Sequence, residues 1–106
     1  MDKIMISQPM ANRTDVEIIE TRDRFLSFAK ENNYEVVNTL FTDQWFSHKH
    51  MIDRGVINIP LCFLAKSLEA MANCSHVYFA KDWSTTRGCR LEHEAATAYG
   101  LNIIYE

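Results

Sequence analysis

Residues 77–105 read VYFAKDWSTTRGCRLEHEAATAYGLNIIY. Two short apolar runs, Val77 to Ala80 and Leu101 to Tyr105, enclose a segment with helical spacing from about Arg87 to Gly100. Gly100 is placed to end that helix, because glycine adopts the left-handed conformation that often follows a helix C-terminus. Strand, helix and strand in this order predict a right-handed crossover between parallel strands.

The preceding residues repeat this alternation. Apolar runs from Ile4 to Ile6 and from Tyr34 to Val37 predict two more strands. The helix between them should run from about Asp15 to Asn32, and it starts with a capping box formed by Thr14 and Glu17. The chain therefore alternates strands and helices from its start.

A further helix is predicted to begin near Pro60, because the fixed φ and missing N–H of proline suit a first helical position. Helical spacing also predicts which residues of the three helices face the core. These are Ile18, Ile19, Arg22, Phe25, Leu26 and Ala29 on the first; Leu61, Leu64, Ala65, Leu68, Met71 and Ala72 on the second; and Leu91, Ala95 and Ala98 on the third.

The chain has 106 residues, of which 47% are hydrophobic, and this is the usual size of one compact domain spanning residues 1–106. Near-continuous apolar strands indicate burial on both faces of the sheet. We therefore expect an α/β fold, a small three-layer sandwich with a mainly parallel four-stranded sheet of the flavodoxin-like or Rossmann-like kind.

Charge and hydropathy argue against several classes of partner. The net charge of −3 and the scattered basic residues offer no surface for nucleic acid. No run approaches the roughly 18 apolar residues of a membrane span, and the N-terminal run is too short for a signal peptide. We expect a cytoplasmic protein with neither a nucleic-acid nor a membrane partner.

The cysteines and histidines indicate no metal site, and no cofactor is expected. Cys62, Cys74 and Cys89 are odd in number and lack CxxC spacing, which favours buried free thiols over disulfides or a zinc site. The histidines match no common metal-ligand spacing.

The connection from Asn38 to Ile59 is long and shows no clear period. It carries the aromatic residues Phe41, Trp45 and Phe46 and the histidines His48 and His50. Connections of this length are often functional, which makes it a candidate lid. Alternatively, its aromatic side chains pack on the sheet edge or on a partner subunit.

Ligands of open parallel sheets bind beyond the carboxyl ends of the strands. This rule selects Ser7, Gln8, Pro9 and Met10 after the first strand, Asn38 after the second, and the loop from Lys81 to Gly88 after the third. Hydroxyl groups, Gly88 and the N–H groups of a helix start suit an anion, although the same hydroxyls could simply cap the helix. Glu92 follows four residues after Gly88 and shares its helix face.

Three stretches carry a resemblance to a known family: Ile6 to Met10, Tyr78 to Trp83, and Arg87 to Ala96. In this order they resemble the nucleoside 2-deoxyribosyltransferase-like superfamily, in its branch of small bacterial and phage proteins. The resemblance covers almost the whole chain apart from the middle connection. It implies the same α/β fold, a homo-oligomer, and a nucleotide or nucleoside as small-molecule ligand.

The resemblance also implies roles for particular residues. The superfamily pattern Gly-x-x-x-Glu-x-x-x-Ala is matched by Gly88, Glu92 and Ala96, which makes Glu92 the nucleophile that breaks an N-glycosidic bond. Such cleavage passes through an oxocarbenium-like centre that a carboxylate can trap. Asp82 is a candidate second acid, with an ordinary solvated aspartate as the alternative, and Asp43 is a weaker candidate.

The position six residues before the nucleophile distinguishes relatives that act on nucleosides, with aspartate, from those that act on 5′-monophosphates, with serine. Thr86 stands here, so we hypothesise a 5′-monophosphate held by Ser84, Thr86 and the Gly88 N–H, beside Trp83. Two departures are Gln8, where many relatives have glycine, and Ser75, where many have aspartate.

Two alternatives to an enzyme stay open. A non-catalytic nucleotide-binding or signalling module would need the same loops without the Glu92 carboxylate. A structural adaptor would instead use Trp45 and Phe46.

Overall fold

Four parallel strands form one sheet in the computed structural model of this chain, which describes residues 1–39 and 47–106. The strands are β1 (Lys3–Ser7), β2 (Glu35–Val36), β3 (His76–Phe79) and β4 (Asn102–Tyr105). Their spatial order is β2-β1-β3-β4, and every neighbouring pair is parallel. The predicted parallel four-stranded sheet is confirmed, with β2 shorter than the apolar run from Tyr34 to Val37 indicated.

The described helices are α1 (Asp15–Glu31), α2 (His48–Asp53), α3 (Ile59–Met71) and α4 (Arg87–Ala98). The capping box is confirmed, because the Glu17 N–H donates to Thr14 Oγ1 at 3.1 Å. Gly100 has a φ of 73° just after α4 and so ends that helix as predicted.

Helix α2 lies within the connection that the sequence pattern left without structure, and this part of the prediction is wrong. Its six residues are too few to display a helical period, but Ser47 caps it by accepting the His50 N–H at 3.3 Å. Residues 40–46, with Phe41, Asp43, Trp45 and Phe46, lie outside the described residues.

The sheet is the middle of three layers. Along β1, alternate side chains point to opposite faces. Ile4 and Ile6 pack with Phe25 of α1, whereas Met5 packs with Met71 of α3 on the other face. Helix α4 joins that second face through Ala96, so the predicted three-layer α/β sandwich is confirmed.

The predicted inward faces of the helices need correction. On α4 the buried residues are Cys89, Glu92 and Ala96, whereas Leu91 is 42% exposed and Ala98 is exposed. The buried face of α4 is therefore not the fully apolar face that the sequence predicted, and it includes a glutamate. On α1, Ile19 and Leu26 are exposed. In the stripe predicted for the second long helix, the exposed residues are Leu61, Ala65 and Leu68 on α3 and Ala72 directly after it.

The order in which successive strands are added to the sheet reverses between β1 and β3. From β1 the chain moves outward to β2, and from β3 it moves the other way to β4. In parallel sheets this switch point, at the carboxyl ends of the strands, is where ligands bind. Here those ends are Ser7 and Phe79, which pair with each other.

Candidate functional site

Glu92 lies buried at the switch point, with 9% of its surface exposed. Ser7 occupies the same face of β1 as Met5, because strand side chains alternate, and this face is covered by α3 and α4. The Ser7 hydroxyl donates a hydrogen bond to Glu92 Oε2 at 2.5 Å across 85 positions of sequence. The last residue of β1 therefore fixes the carboxylate of α4.

Burial raises the pKa of the Glu92 carboxyl above its ordinary value, because a low-dielectric environment disfavours the charged form. Hydrogen bonds with the side chains of Ser7 and Ser67 oppose this rise in pKa, since hydroxyl donors stabilise the carboxylate. Ser67 comes from α3, so residues of three elements surround one carboxyl group. A carboxylate held in this way has a defined orientation and few water contacts.

Cys89 lies one helical turn before Glu92 and is 3% exposed. Burial raises the pKa of its thiol, while hydrogen bonds with Ser7 and Thr86 oppose the rise. Because the thiolate is the nucleophilic form of cysteine, this thiol is poorly reactive near neutral pH.

A cavity of about 660 Å³ opens beside Glu92, within the size range of small-molecule sites. Its lining has two chemically distinct parts. Met10, Pro60, Leu61, Phe63, Leu64 and Leu91 are apolar, whereas Thr85, Thr86, Arg87 and Gly88 surround the start of α4 with hydroxyl, guanidinium and backbone groups. The cavity can therefore receive a ligand with one apolar and one anionic end.

The start of α4 has backbone N–H groups that its N-cap side chain does not bind. Thr86 is the N-cap residue, but its hydroxyl donates to the Trp83 carbonyl at 3.5 Å and makes no capping hydrogen bond. A Cβ added to Gly88 would meet no atom within 4 Å. Helix N-termini attract anions through their N–H groups and dipole, so this end of the cavity suits a phosphate.

Most of the residues selected from the sequence come together here. The cavity is lined by Gln8, Met10, Thr86, Gly88 and Glu92. Ser7 is not a lining residue, but it donates a hydrogen bond to Glu92. The side-chain amide of Gln8 also donates to the Ile18 carbonyl at 3.1 Å, which anchors the loop after β1 to α1.

Four selected residues lie elsewhere. Pro9 and Asp82 line a separate cavity of about 180 Å³, where Asp82 Oδ2 is 3.9 Å from Arg13 Nη2. Trp83 stacks on His93 instead of lining the cavity, and Ser84 is exposed. The structure therefore does not bring Asp82 or Ser84 together with Glu92.

Two other residues singled out in the sequence, Asn38 and Ser75, do not line this cavity. Asn38 accepts a hydrogen bond from Arg22 at 3.2 Å at the carboxyl end of β2. Ser75 precedes β3 at the amino edge of the sheet, where its hydroxyl donates to the Lys3 carbonyl at 3.2 Å. Ser75 therefore lies at the opposite edge of the sheet from Ser7 and Phe79.

The cavity lining also includes Ser67, Asn58 and apolar side chains other than Met10 that the sequence pattern did not select as site residues. Leu61, Leu64 and Leu91 were assigned to the core because a ligand wall and a core stripe have the same helical spacing. Ser67 was detectable, since it is a polar residue on the stripe that joins Leu64 to Met71. Polar interruptions of a buried stripe often mark functional positions.

The described residues contain no group of three or more histidine, cysteine, aspartate or glutamate side chains that could hold a metal ion. No helix in the described part of the chain is long and apolar enough to cross a membrane. Comparisons of this chain with family models, with curated proteins and with solved structures find no match.

Proposed function

We propose that this protein cleaves the N-glycosidic bond of a nucleoside 5′-monophosphate or nucleoside, with Glu92 as nucleophile. The observation that carries the proposal is the buried Glu92 carboxylate, oriented by Ser7 beside a cavity at the switch point of a parallel sheet. The resemblance of the Gly88, Glu92 and Ala96 pattern to the nucleoside 2-deoxyribosyltransferase-like superfamily supplies the reaction class.

The reaction proceeds in two displacements at C1′ of the sugar. A Glu92 oxygen bonds to C1′ as the C1′–N bond breaks, and the bonding pair leaves with the base, which takes a proton from water. Water then attacks C1′ and gives up a proton, and the bonding pair returns to Glu92 as a carboxylate. From a 5′-monophosphate the products are the free base and ribose or deoxyribose 5-phosphate, and from a nucleoside they are the free base and the free sugar. Where a second base replaces water, a new nucleotide or nucleoside forms.

The phosphate is placed at the start of α4. Thr85, Thr86 and Gly88 line this part of the cavity, together with the guanidinium group of Arg87. A carboxylate at position 86 would repel a phosphate, whereas the threonine hydroxyl can donate to it. Ser84 is exposed and is not among the lining residues. Thr85 therefore replaces Ser84 among the proposed phosphate-binding residues.

The base is placed against the apolar lining from α3 and the loop after β1. Leu61 is 58% exposed although it is a large apolar side chain at the cavity, and Met10 is also exposed. A planar aromatic base would cover this surface and remove it from water. Glu92 then lies between the two ends of the substrate, where the glycosidic bond is found.

Base release from a panel of nucleosides and their 5′-monophosphates, measured by chromatography, tests this proposal. We expect release from at least one monophosphate, and a KM for it that rises in Thr86→Ala because a phosphate donor is lost. An unchanged KM in Thr86→Ala would argue against phosphate at α4. Absence of base release from every compound would contradict cleavage.

Gly88→Ala is expected to fold with unchanged or higher thermal stability, because the added methyl meets no atom within 4 Å and alanine favours helix. The methyl group would occupy space at the anion end of the cavity, so we expect the KM for a 5′-monophosphate to rise by about tenfold. Melting temperature and KM measured together check both parts. An unchanged KM would show that the ligand does not approach Gly88.

Asp82→Asn tests, without changing the backbone, whether Asp82 is the second acid or an ordinary solvated aspartate. Asp82 has a φ of 66°, which asparagine tolerates as well as aspartate does. Because Asp82 lines the other cavity, we expect base release to change little. A fall in kcat of about 100-fold would instead assign Asp82 the role of acid.

A non-catalytic nucleotide-binding module is the second candidate function. It is favoured by the raised pKa of Glu92 and by the lining of the cavity, which among described residues holds no acidic side chain besides Glu92. A binding module would bind the nucleotide tightly and release no base. Calorimetric binding without turnover in the unaltered chain would support it.

We also propose that the chain forms a homo-oligomer. Leu68 and Ala65 of α3 and Ala72 directly after it are exposed, although they share the predicted core stripe. Exposed apolar patches often mark contacts between subunits. Sedimentation of the purified protein tests this proposal, and a monomer at all concentrations would contradict it.

A further inference from the structure

An aromatic cluster lies beside the proposed phosphate end of the cavity, and the proposed reaction does not use it. His93 of α4 stacks on Trp83, with ring centroids 4.1 Å apart and an angle of 17° between the planes. His93 Nε2 also forms a hydrogen bond with Tyr105 Oη at a distance of 2.6 Å. Phe79 completes the cluster by edge contact with His93 at 4.9 Å.

Trp83 belongs to the turn that leads into α4. This turn is a short 3-10 helix, Trp83–Thr85, and it follows Asp82 in the left-handed conformation. The Trp83 carbonyl accepts the Thr86 N–H at 3.4 Å and the Thr86 hydroxyl at 3.5 Å. These two hydrogen bonds therefore couple the position of Thr86, the N-cap residue of α4, to the position of Trp83.

We propose that His93 and Tyr105 are positioning residues for the phosphate, which hold Trp83 and thereby fix Thr86 and the N–H groups that follow it. This inference rests on the proposed function, because it concerns the anion end of the same cavity. His93 reaches Trp83 from α4 and Tyr105 reaches His93 from β4, so two elements outside the turn determine its position.

Removing a contact within the aromatic cluster should weaken the binding of the phosphate more than that of the rest of the ligand. Without the Tyr105 hydroxyl, the His93 ring has fewer constraints and the turn must be ordered by the ligand itself. Ordering a mobile segment reduces affinity, and we expect the loss to be about 2- to 10-fold. The sugar and base contact other residues, so a ligand without phosphate should lose much less.

The experiment measures the affinity of adenosine 5′-monophosphate and of adenosine by calorimetry in the full chain carrying Glu92→Gln, which prevents turnover. Tyr105→Phe is added to remove the hydroxyl and keep the ring. Tyr99→Phe is the matched control, because Tyr99 is 86% exposed and the substitution is chemically the same. His93→Ala provides a larger change, and thermal melting checks that each variant folds.

We expect Tyr105→Phe to raise the Kd of the monophosphate about 2- to 10-fold over Tyr99→Phe, with the Kd of adenosine unchanged. Equal monophosphate Kd values in the two tyrosine variants would overturn the inference. Equal weakening of both ligands, or no binding of the monophosphate before the tyrosine change, would also overturn it. Base release by the unaltered chain tests the proposed function separately.

Discussion

Glu92→Gln is expected to lower the rate of base release by about a thousandfold or more, because the amide cannot form the bond to C1′. Glutamine has nearly the same shape, so it can still accept the hydrogen bond from Ser7. The affinity for a nucleotide should therefore stay close to that of the unaltered chain. Single-turnover base release and calorimetric affinity together provide the measurement.

Glu94→Gln is the matched control for this substitution. Glu94 lies on the same helix two residues later, but its side chain is exposed. We expect its base release to equal that of the unaltered chain, which separates loss of the Glu92 carboxylate from a general effect of charge. Base release that survives in Glu92→Gln would exclude this residue as nucleophile.

The second large effect concerns pH. As the pH rises through the pKa of Glu92, stability should fall and the rate of base release should rise. Burial raises the pKa of Glu92 in the folded chain above its ordinary value in the unfolded chain. The folded state therefore binds this proton more tightly, and the resulting stability is fully present below the ordinary glutamate pKa. It is lost as the pH rises through the raised folded pKa.

In the proposed reaction, activity follows the ionised form of Glu92, since only the carboxylate would attack C1′. We expect kcat/KM for the free enzyme to rise with pH through the raised pKa, with its acidic limb above the ordinary range of glutamate. Over the same interval, the melting temperature of the unaltered chain should fall relative to that of Glu92→Gln. The comparison between the two chains cancels the other titrating groups.

Melting curves and initial rates at a series of pH values check this prediction. Ser7→Ala extends it, because loss of the hydroxyl donor should raise the pKa of Glu92 further and move the acidic limb to higher pH. A melting-temperature difference that does not depend on pH would show that Glu92 is not perturbed in the folded chain. An acidic limb at the ordinary glutamate pKa would contradict the account in the same way.

The order of strands and helices could be predicted because alternation and end signals are local properties of the sequence. Thr14, Pro60 and Gly100 each mark a helix end through their own chemistry, and the structure confirms these positions. Helix α2 could not be predicted from periodicity, since six residues complete fewer than two turns.

The buried faces of the helices were harder to predict. The prediction assumed that apolar residues face the core, and the candidate site departs from this rule. A stripe with Leu91 inward is the apolar solution for α4, but the structure buries Glu92 and exposes Leu91. Burying a carboxyl group is unfavourable unless hydrogen bonds compensate, and Ser7 provides one from a strand distant in sequence. Contacts of this kind follow from the tertiary fold and have no local signal.

The separation of Asp82 from Glu92 has a similar origin. Both residues belong to the stretch after β3, and their proximity in sequence suggested one site. Asp82 has a left-handed conformation, and its side chain lines the cavity beside α1, near Arg13. Asp82 and Glu92 therefore lie in two different cavities, which their positions in sequence could not show.

The most direct test of Glu92 as nucleophile is the configuration at C1′ of the product formed when methanol replaces water. Two displacements through a Glu92 ester retain the configuration of the substrate, whereas one displacement with Glu92 as base inverts it. Proton NMR of the methyl glycoside distinguishes the two anomers. We expect the β-anomer from a β-nucleotide, and formation of the α-anomer would contradict Glu92 as nucleophile.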